Sequence, residues 1–183
     1  MSDAAPAKRP SRAALWLIIA LTAAPVVASY LLFYVWPPEH TVNYGELIGP
    51  RVLPDAPPFS GLRGKWVLVS VDGGRCEASC ENKLLYMRQL RLTQGKNMDR
   101  VERLWLVSDD APPRGAAALA EEGTRVARAD AELLRAFPAP VSSSDHLYLV
   151  DPLGNLMMRF PRDPEPRLMI KDLARLLKAS QVG

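Results

Sequence analysis

The chain has only 2 cysteines and 2 histidines in 183 residues, which excludes a disulfide-dense mini-protein and leaves no second cysteine pair of the zinc-site type. It also lacks a strong excess of either charge. Its net charge is +3, with 23 Lys and Arg against 20 Asp and Glu. Residues 1–36 contribute Lys8, Arg9 and Arg12 against Asp3, so the remainder carries 20 basic and 19 acidic side chains. That near-neutral remainder removes the main reason to expect a nucleic-acid partner. No Gly-x-Gly-x-x-Gly, P-loop or Ser-centred nucleophile motif occurs, so nucleotide chemistry has no support. There is no internal repeat. At 48% hydrophobic and 23% charged, the composition is neither disordered nor fibrous, and the length suits one domain with a short appendage.

The appendage is apolar. Ala13 to Trp36 is a run of 24 residues without a formal charge. As a helix it reaches roughly 36 Å, enough to cross a ~30 Å hydrocarbon core. Trp16 lies near one end and Tyr30, Tyr34 and Trp36 near the other, as interfacial aromatics do. Pro25 is expected to kink the helix modestly. A cleaved signal peptide is the rival reading, but the run exceeds an ordinary signal core and ends in bulky residues, Tyr30 to Trp36. The expectation is a cytoplasmic N-terminus over residues 1–12, a transmembrane helix over 13–36 in an inner (plasma) membrane, and a periplasmic remainder. Lys8, Arg9 and Arg12 set that orientation, and the lipid bilayer is the first partner.

Residues 37–60, rich in Pro and Gly, read as a stalk and extended lead-in, with Tyr44 to Ile48 forming a short edge strand. The domain proper is expected over 61–183. Lys65 to Val71 and Arg103 to Ser108 are short apolar runs bounded by turn residues, so they read as buried strands. Between them, Cys76 to Leu92 has helical spacing. Gly115 to Gly123 reads as helical, Thr124 to Ala127 as a short strand, and Asp130 as the N-cap of a brief helix reaching Phe137. His146 to Val150 is a third main strand, and Asp151 to Asn155 turns it into a hairpin with Leu156 to Phe160. An amphipathic helix with Leu168, Ile170, Leu173, Leu176 and Leu177 closes the chain. This order predicts an α/β protein, a mixed sheet flanked by helices, in the order of the thioredoxin fold.

Cys76-Glu77-Ala78-Ser79-Cys80 sits where the first core strand turns into the first helix. Four residues of helix would bring both sulfurs to one face, Cβ atoms roughly 5–6 Å apart. The pair can then form a disulfide or share one metal ion. Cys76, at the helix start beside Arg75, would have a stabilised thiolate. A disulfide closing so small a ring stabilises little, which argues against a purely structural staple. His146 opens a strand whose end would face that helix, so it is a candidate third ligand; Cys76, Cys80 and His146 together would suit copper, Cu(I) especially. The alternative is a half-buried histidine bonded locally. Met157 and Met158 read as hairpin core, and Asp109, Asp110, Asp145 and Asp151 as turn caps.

Three blocks together resemble the Sco/SenC family of membrane-anchored, thioredoxin-like cytochrome c oxidase assembly proteins. They are Gly61-Leu62-Arg63-Gly64-Lys65-Trp66-Val67-Leu68, the Cys76 to Cys80 motif, and Tyr148-Leu149-Val150-Asp151-Pro152-Leu153-Gly154. The resemblance runs over most of residues 44–178. It implies copper bound by the two cysteines and a histidine, and copper delivery to, or thiol reduction of, the copper site of oxidase subunit II. The chain departs from the family at two points. Glu77 and Glu81 stand where the family has prolines, and Ser143 occupies the position of the family's histidine, with His146 three residues on. Two rivals stay open: a thiol–disulfide oxidoreductase that holds no metal, and a membrane-tethered scaffold with no catalytic role.

Overall fold

A computed structural model describes residues 12–35 and 42–180. The chain divides along its sequence into two units, the second beginning at Asn43. The first unit is represented by α1 (Arg12–Val35), a helix long and apolar enough to cross a membrane. Pro25 lies inside it, and Thr22 Oγ1 donates to the Ile18 carbonyl at 2.9 Å one turn before. Lys8, Arg9, Trp36 and His40 lie outside the described residues.

The second unit is a mixed sheet of six strands, β1 (Glu46–Val52), β2 (Trp66–Asp72), β3 (Val101–Val107), β4 (Thr124–Arg128), β5 (Leu147–Val150) and β6 (Asn155–Arg159), in the order β1-β6-β5-β2-β3-β4. β2, β3 and β4 run parallel; on the other side of β2, β5 pairs antiparallel with β2, β6 antiparallel with β5 and β1 antiparallel with β6. Parallel neighbours need crossovers, and helices supply them. α2 (Ala78–Thr93) links β2 to β3, and α3 (Ala116–Glu121) links β3 to β4. α4 (Ala131–Leu134) is shorter than the sequence suggests, although Asp130 caps it as expected, accepting from Leu133 N at 2.7 Å. α5 (Pro166–Ala179) ends the described chain, with Pro166 at its first turn, where the missing N–H costs nothing.

The period-2 alternation of the strands produces two cores. One face buries Leu68, Trp105, Leu149 and Met158 against Met87 and Leu90 of α2 and Met169, Leu173 and Leu177 of α5. The other buries Val67, Val69, Val71, Leu104, Leu106 and Tyr148 beneath Leu53, Phe59, Leu62 and Phe137. Two sequence expectations change here. The domain begins by Asn43 rather than at Gly61, because β1 pairs with β6 over Glu46–Arg159 to Val52–Asn155 and the following segment buries Leu53 and Phe59. In α5 the side chain packed flush on the sheet is Met169 rather than Leu168, and the helix also buries Asp172. That carboxylate accepts from Gly45 N at 2.8 Å and ties the start of the domain to its last helix.

Candidate active site

β2 ends at Asp72, the chain turns through Gly73 to Glu77, and α2 begins at Ala78. Cys80 is in the first turn of α2, but Cys76 is not helical as the sequence suggests. It precedes the N-cap Glu77 and has a left-handed backbone, φ 45°. A non-glycine residue there is strained, and such residues persist when their surroundings hold them. Cys76 N donates to the Gly73 carbonyl at 3.1 Å, and Arg114 N donates to the Gly74 carbonyl at 2.8 Å. Asp109 Oδ1 accepts from Gly74 N at 2.8 Å and from Ala111 N at 3.1 Å. Asp109, expected as a turn cap, thus clasps two loops at the end of β2 and β3.

That clasp requires glycine. A Cβ on Gly74 would collide with the Ala111 backbone carbonyl, and one on Gly73 would meet Asp109 Oδ2. Gly74→Ala is therefore expected to cost about 1–3 kcal/mol in a urea unfolding titration, as overpacking against backbone does. Gly49→Ala, at a position with no atom within 4 Å, should stay close to the parent.

The turn brings Cys76 and Cys80 together as a disulfide, Cα atoms 5.1 Å apart. Cys76 is 6% exposed and Cys80 3%. Cys76 also lines an open cavity of about 330 Å³ whose lining does not include Cys80. Of the two cysteines, Cys76 is therefore the one at the cavity. Next to the pair lies a feature that the sequence reading missed. Lys83, one helical turn beyond Cys80, and Asp72 are both buried, and Lys83 Nζ donates to Asp72 Oδ1 at 2.8 Å. Ser70 Oγ donates to Asp72 Oδ2, and Lys83 also reaches the Ser144 carbonyl. Burial lifts the Asp72 carboxyl above its ordinary value, against the opposing pull of the Lys83 ammonium and the hydrogen bonds from Lys83 and Ser70. The signal was present in the sequence: an aspartate closes a strand that is apolar but for Ser70, and a lysine shares the helix face of Cys80, Leu84 and Met87.

His146 follows a 3₁₀ turn over Ser143–Asp145 and is buried. Its Nδ1 donates to the Phe160 carbonyl at 2.8 Å, and its ring meets Tyr148 edge-on. The structure joins Cys76 and Cys80 but does not gather His146 with them. Among the described residues, no three His, Cys, Asp or Glu side chains come close enough to share a metal ion. As placed, the donors do not fit a Cys₂His copper site, because the sulfurs are bonded to each other and the imidazole is engaged elsewhere. Met158 is fully buried and Met157 half-buried in the hairpin, as expected. Asp151 caps its turn, accepting from Leu153 N and Asn155 N at 2.9 and 2.8 Å. Asp110 pairs with Arg128 at 3.0 Å and Asp145 with Arg162 at 3.7 Å.

A parallel β2-α2-β3 unit, an antiparallel hairpin and a closing helix, with a disulfide at the head of α2, define a thioredoxin-like domain. The chain belongs to the family described as transmembrane-like, thioredoxin-like, C-terminal domain, whose model matches residues 66–180, more than half of the sequence. Among solved structures it is similar to yeast Sco1 with copper bound, at 13% identity and a TM-score of 0.54, over 77% of this chain and 96% of that one. It is also similar to Arabidopsis thaliana ScoI with copper bound, at 13% identity and a TM-score of 0.50, over 66% and 88%. A third similar structure is BsSco, a member of the Sco family of cytochrome c oxidase assembly proteins, at 17% identity and a TM-score of 0.50, over 76% and 95%. At these identities the likeness is one of fold, the thioredoxin-like fold that the order of elements predicts. No curated protein matches the sequence significantly.

Proposed function

We infer that this protein is a membrane-anchored thiol–disulfide exchange protein serving the assembly of a haem–copper oxidase, with Cys76 and Cys80 as its working pair. The observation that carries this reading is the disulfide itself, set at a strained turn with Cys76 lining an open cavity. In the oxidised direction, a partner thiolate attacks Cys76 Sγ and the Cys76–Cys80 bond breaks. Cys80 leaves as a thiolate and takes a proton. In the reduced direction, Cys76 attacks a partner disulfide and Cys80 resolves the mixed disulfide. The thiol-reducing role at the oxidase copper site uses the second direction, with oxidase subunit II as the partner. α1 is the single-pass anchor, with the N-terminus cytoplasmic and the thioredoxin-like domain on the periplasmic side.

The copper-bound relatives support a second reading, in which copper is cargo held by the reduced Cys76 and Cys80 with His146 recruited from its bond to Phe160. A single titration separates the two. The full chain, reduced and kept in detergent, is challenged with Cu(I) in competition with a chromophoric chelator. Exchange without retained metal is the expected result. One copper per chain, weakened by His146→Ala, would sink the metal-free reading and establish the cargo role. Activity that survives replacement of both cysteines by serine would reduce the domain to a scaffold.

A further inference from the structure

The cavity beside Cys76 contains a charge that the fold alone does not account for. Arg103 lies in β3 on the same sheet face as Val101, Trp105 and Val107, in a position where the alternation calls for an apolar side chain. It is 3% exposed, yet it lines the cavity. Its one hydrogen bond within the described residues runs from Nη2 to the Glu122 carbonyl, and its buried Nε has no partner. Burial is the main influence lowering its pKa, repulsion from Arg91 comes next, and attraction to Glu122 offsets only part of this. Two more guanidinium groups, Arg88 and Arg114, line the same cavity, against the carboxylates of Glu81 and Glu122. Glu122 is already shared with Arg88 at 3.4 Å. Arg114 is held to the cysteine turn by its backbone bond to Gly74. The walls between these charges are aliphatic, from Leu84 and Leu119.

We propose that this cavity is an acceptor site for a carboxylate-bearing thiol, which places its carboxylate on Arg103 and its sulfur against Cys76. The inference rests on the exchange function above and specifies its substrate. A carboxylate supplies the planar acceptor pair that a guanidinium fork matches, its charge offsets that of the buried guanidinium, and it gives the open Nε an acceptor. The aliphatic walls suit a short carbon chain between carboxylate and sulfur. The substrate thiolate attacks Cys76 Sγ, and the Cys76–Cys80 electron pair leaves on Cys80, which takes a proton from solvent. A second thiol of the same class then attacks the substrate sulfur of the mixed disulfide and frees Cys76. Two thiols become one disulfide, and two electrons pass to the cysteine pair. The carboxylate can come from a small thiol acid or from an acidic residue beside a partner protein's cysteine.

The test uses the full, oxidised chain in detergent, and compares 3-mercaptopropionate, 2-mercaptoethanol and cysteamine at equal thiolate concentration and low salt. The anionic thiol is expected to reduce the disulfide at least about tenfold faster than the cationic one, with the neutral thiol between them. That ratio should fall toward one in Arg103→Met, in the exposed-rim variant Arg88→Gln/Arg114→Gln, and in high salt. A general packing fault would slow all three thiols and leave the ratio unchanged. Equal rates for the three thiols in the parent chain would overturn the proposal. Acetylated, amidated Glu-Cys-Gly and Gln-Cys-Gly peptides separate the sources. A preference for the glutamate peptide assigns the site to acidic protein segments; a preference confined to mercaptopropionate assigns it to small thiols. Binding without redox chemistry is read with 3-(methylthio)propionate, which should move the arginine Nε–Hε NMR signal of Arg103. If that signal moves but no thiol exchanges, the exchange function fails and the anion site stands. If it does not move, the anion site is refuted.

Discussion

Lys83→Met is expected to destabilise the domain by about 3–5 kcal/mol near neutral pH, the usual result of stranding one half of a buried ion pair. Lys83 donates to Asp72 and to the Ser144 carbonyl, so its removal leaves the Asp72 carboxylate with Ser70 Oγ as its one side-chain donor. The pH dependence has a definite sign. The folded-state pKa of Asp72 lies above its ordinary value of 3.8, chiefly because of burial. The folded protein therefore binds this proton more tightly than the unfolded chain does. Stability from this group is complete below about 3.8 and declines as pH rises through the folded value. Removing Lys83 deletes the strongest opposing influence, so the decline should steepen and extend to higher pH. Urea unfolding of the full chain at pH 5 and pH 8 should show a larger loss at the higher value. The double variant Asp72→Asn/Lys83→Met removes both charges, and should recover much of the stability and flatten the pH profile. A Lys83→Met loss that is the same at both pH values would refute the account.

The two cysteine substitutions should separate sharply in chemistry while resembling one another in stability. Either change opens a ring of five residues, Cys76 to Cys80. Chain-entropy bookkeeping assigns such a ring only about 2 kcal/mol, so the domain should remain folded. Cys76 lines the open cavity, whereas Cys80 is deeper in the first turn of α2. Cys76→Ser should therefore abolish exchange with a model disulfide. Cys80→Ser should still be attacked or attack once, accumulating a mixed disulfide on Cys76 that mass spectrometry detects. Mixed disulfide building up on Cys80 in the Cys76→Ser chain, and not the reverse, would invert the assignment.

Much of this architecture is legible in the sequence because its signals are local. Trp66 to Asp72 is buried along its whole length, and a continuous apolar run between glycines can hardly be anything but a central strand. Asp130 and Asp151 cap the turns where they were expected, since an aspartate oxygen bonding backbone N–H groups a few residues on needs no distant partner. The paired cysteines needed only their spacing and their place after a strand. The elements that escaped are those whose character depends on what lies across the sheet. β1 extends to Val52 because β6 offers it an edge, a fact carried by residues more than a hundred positions away. Arg103 opens a run read simply as a buried strand, and the helix-covered face on which it stands makes it a buried cation.

The same division runs through the candidate site. The sequence by itself determined that a long apolar helix precedes one α/β domain, that the domain has thioredoxin order, and that its two cysteines stand at the head of the first long helix. These follow from periodicity, turn chemistry and spacing, which act within a few residues. Only the tertiary structure decided that the cysteines are joined while His146 bonds to Phe160, that Asp72 and Lys83 neutralise each other beside them, and that three arginines line one cavity with Cys76. Hydrogen bonding, desolvation and Coulomb energy depend on distance and dielectric. Neither is defined until the chain has folded and placed β3, α2 and the Ser143–Asp145 turn around the same end of the sheet.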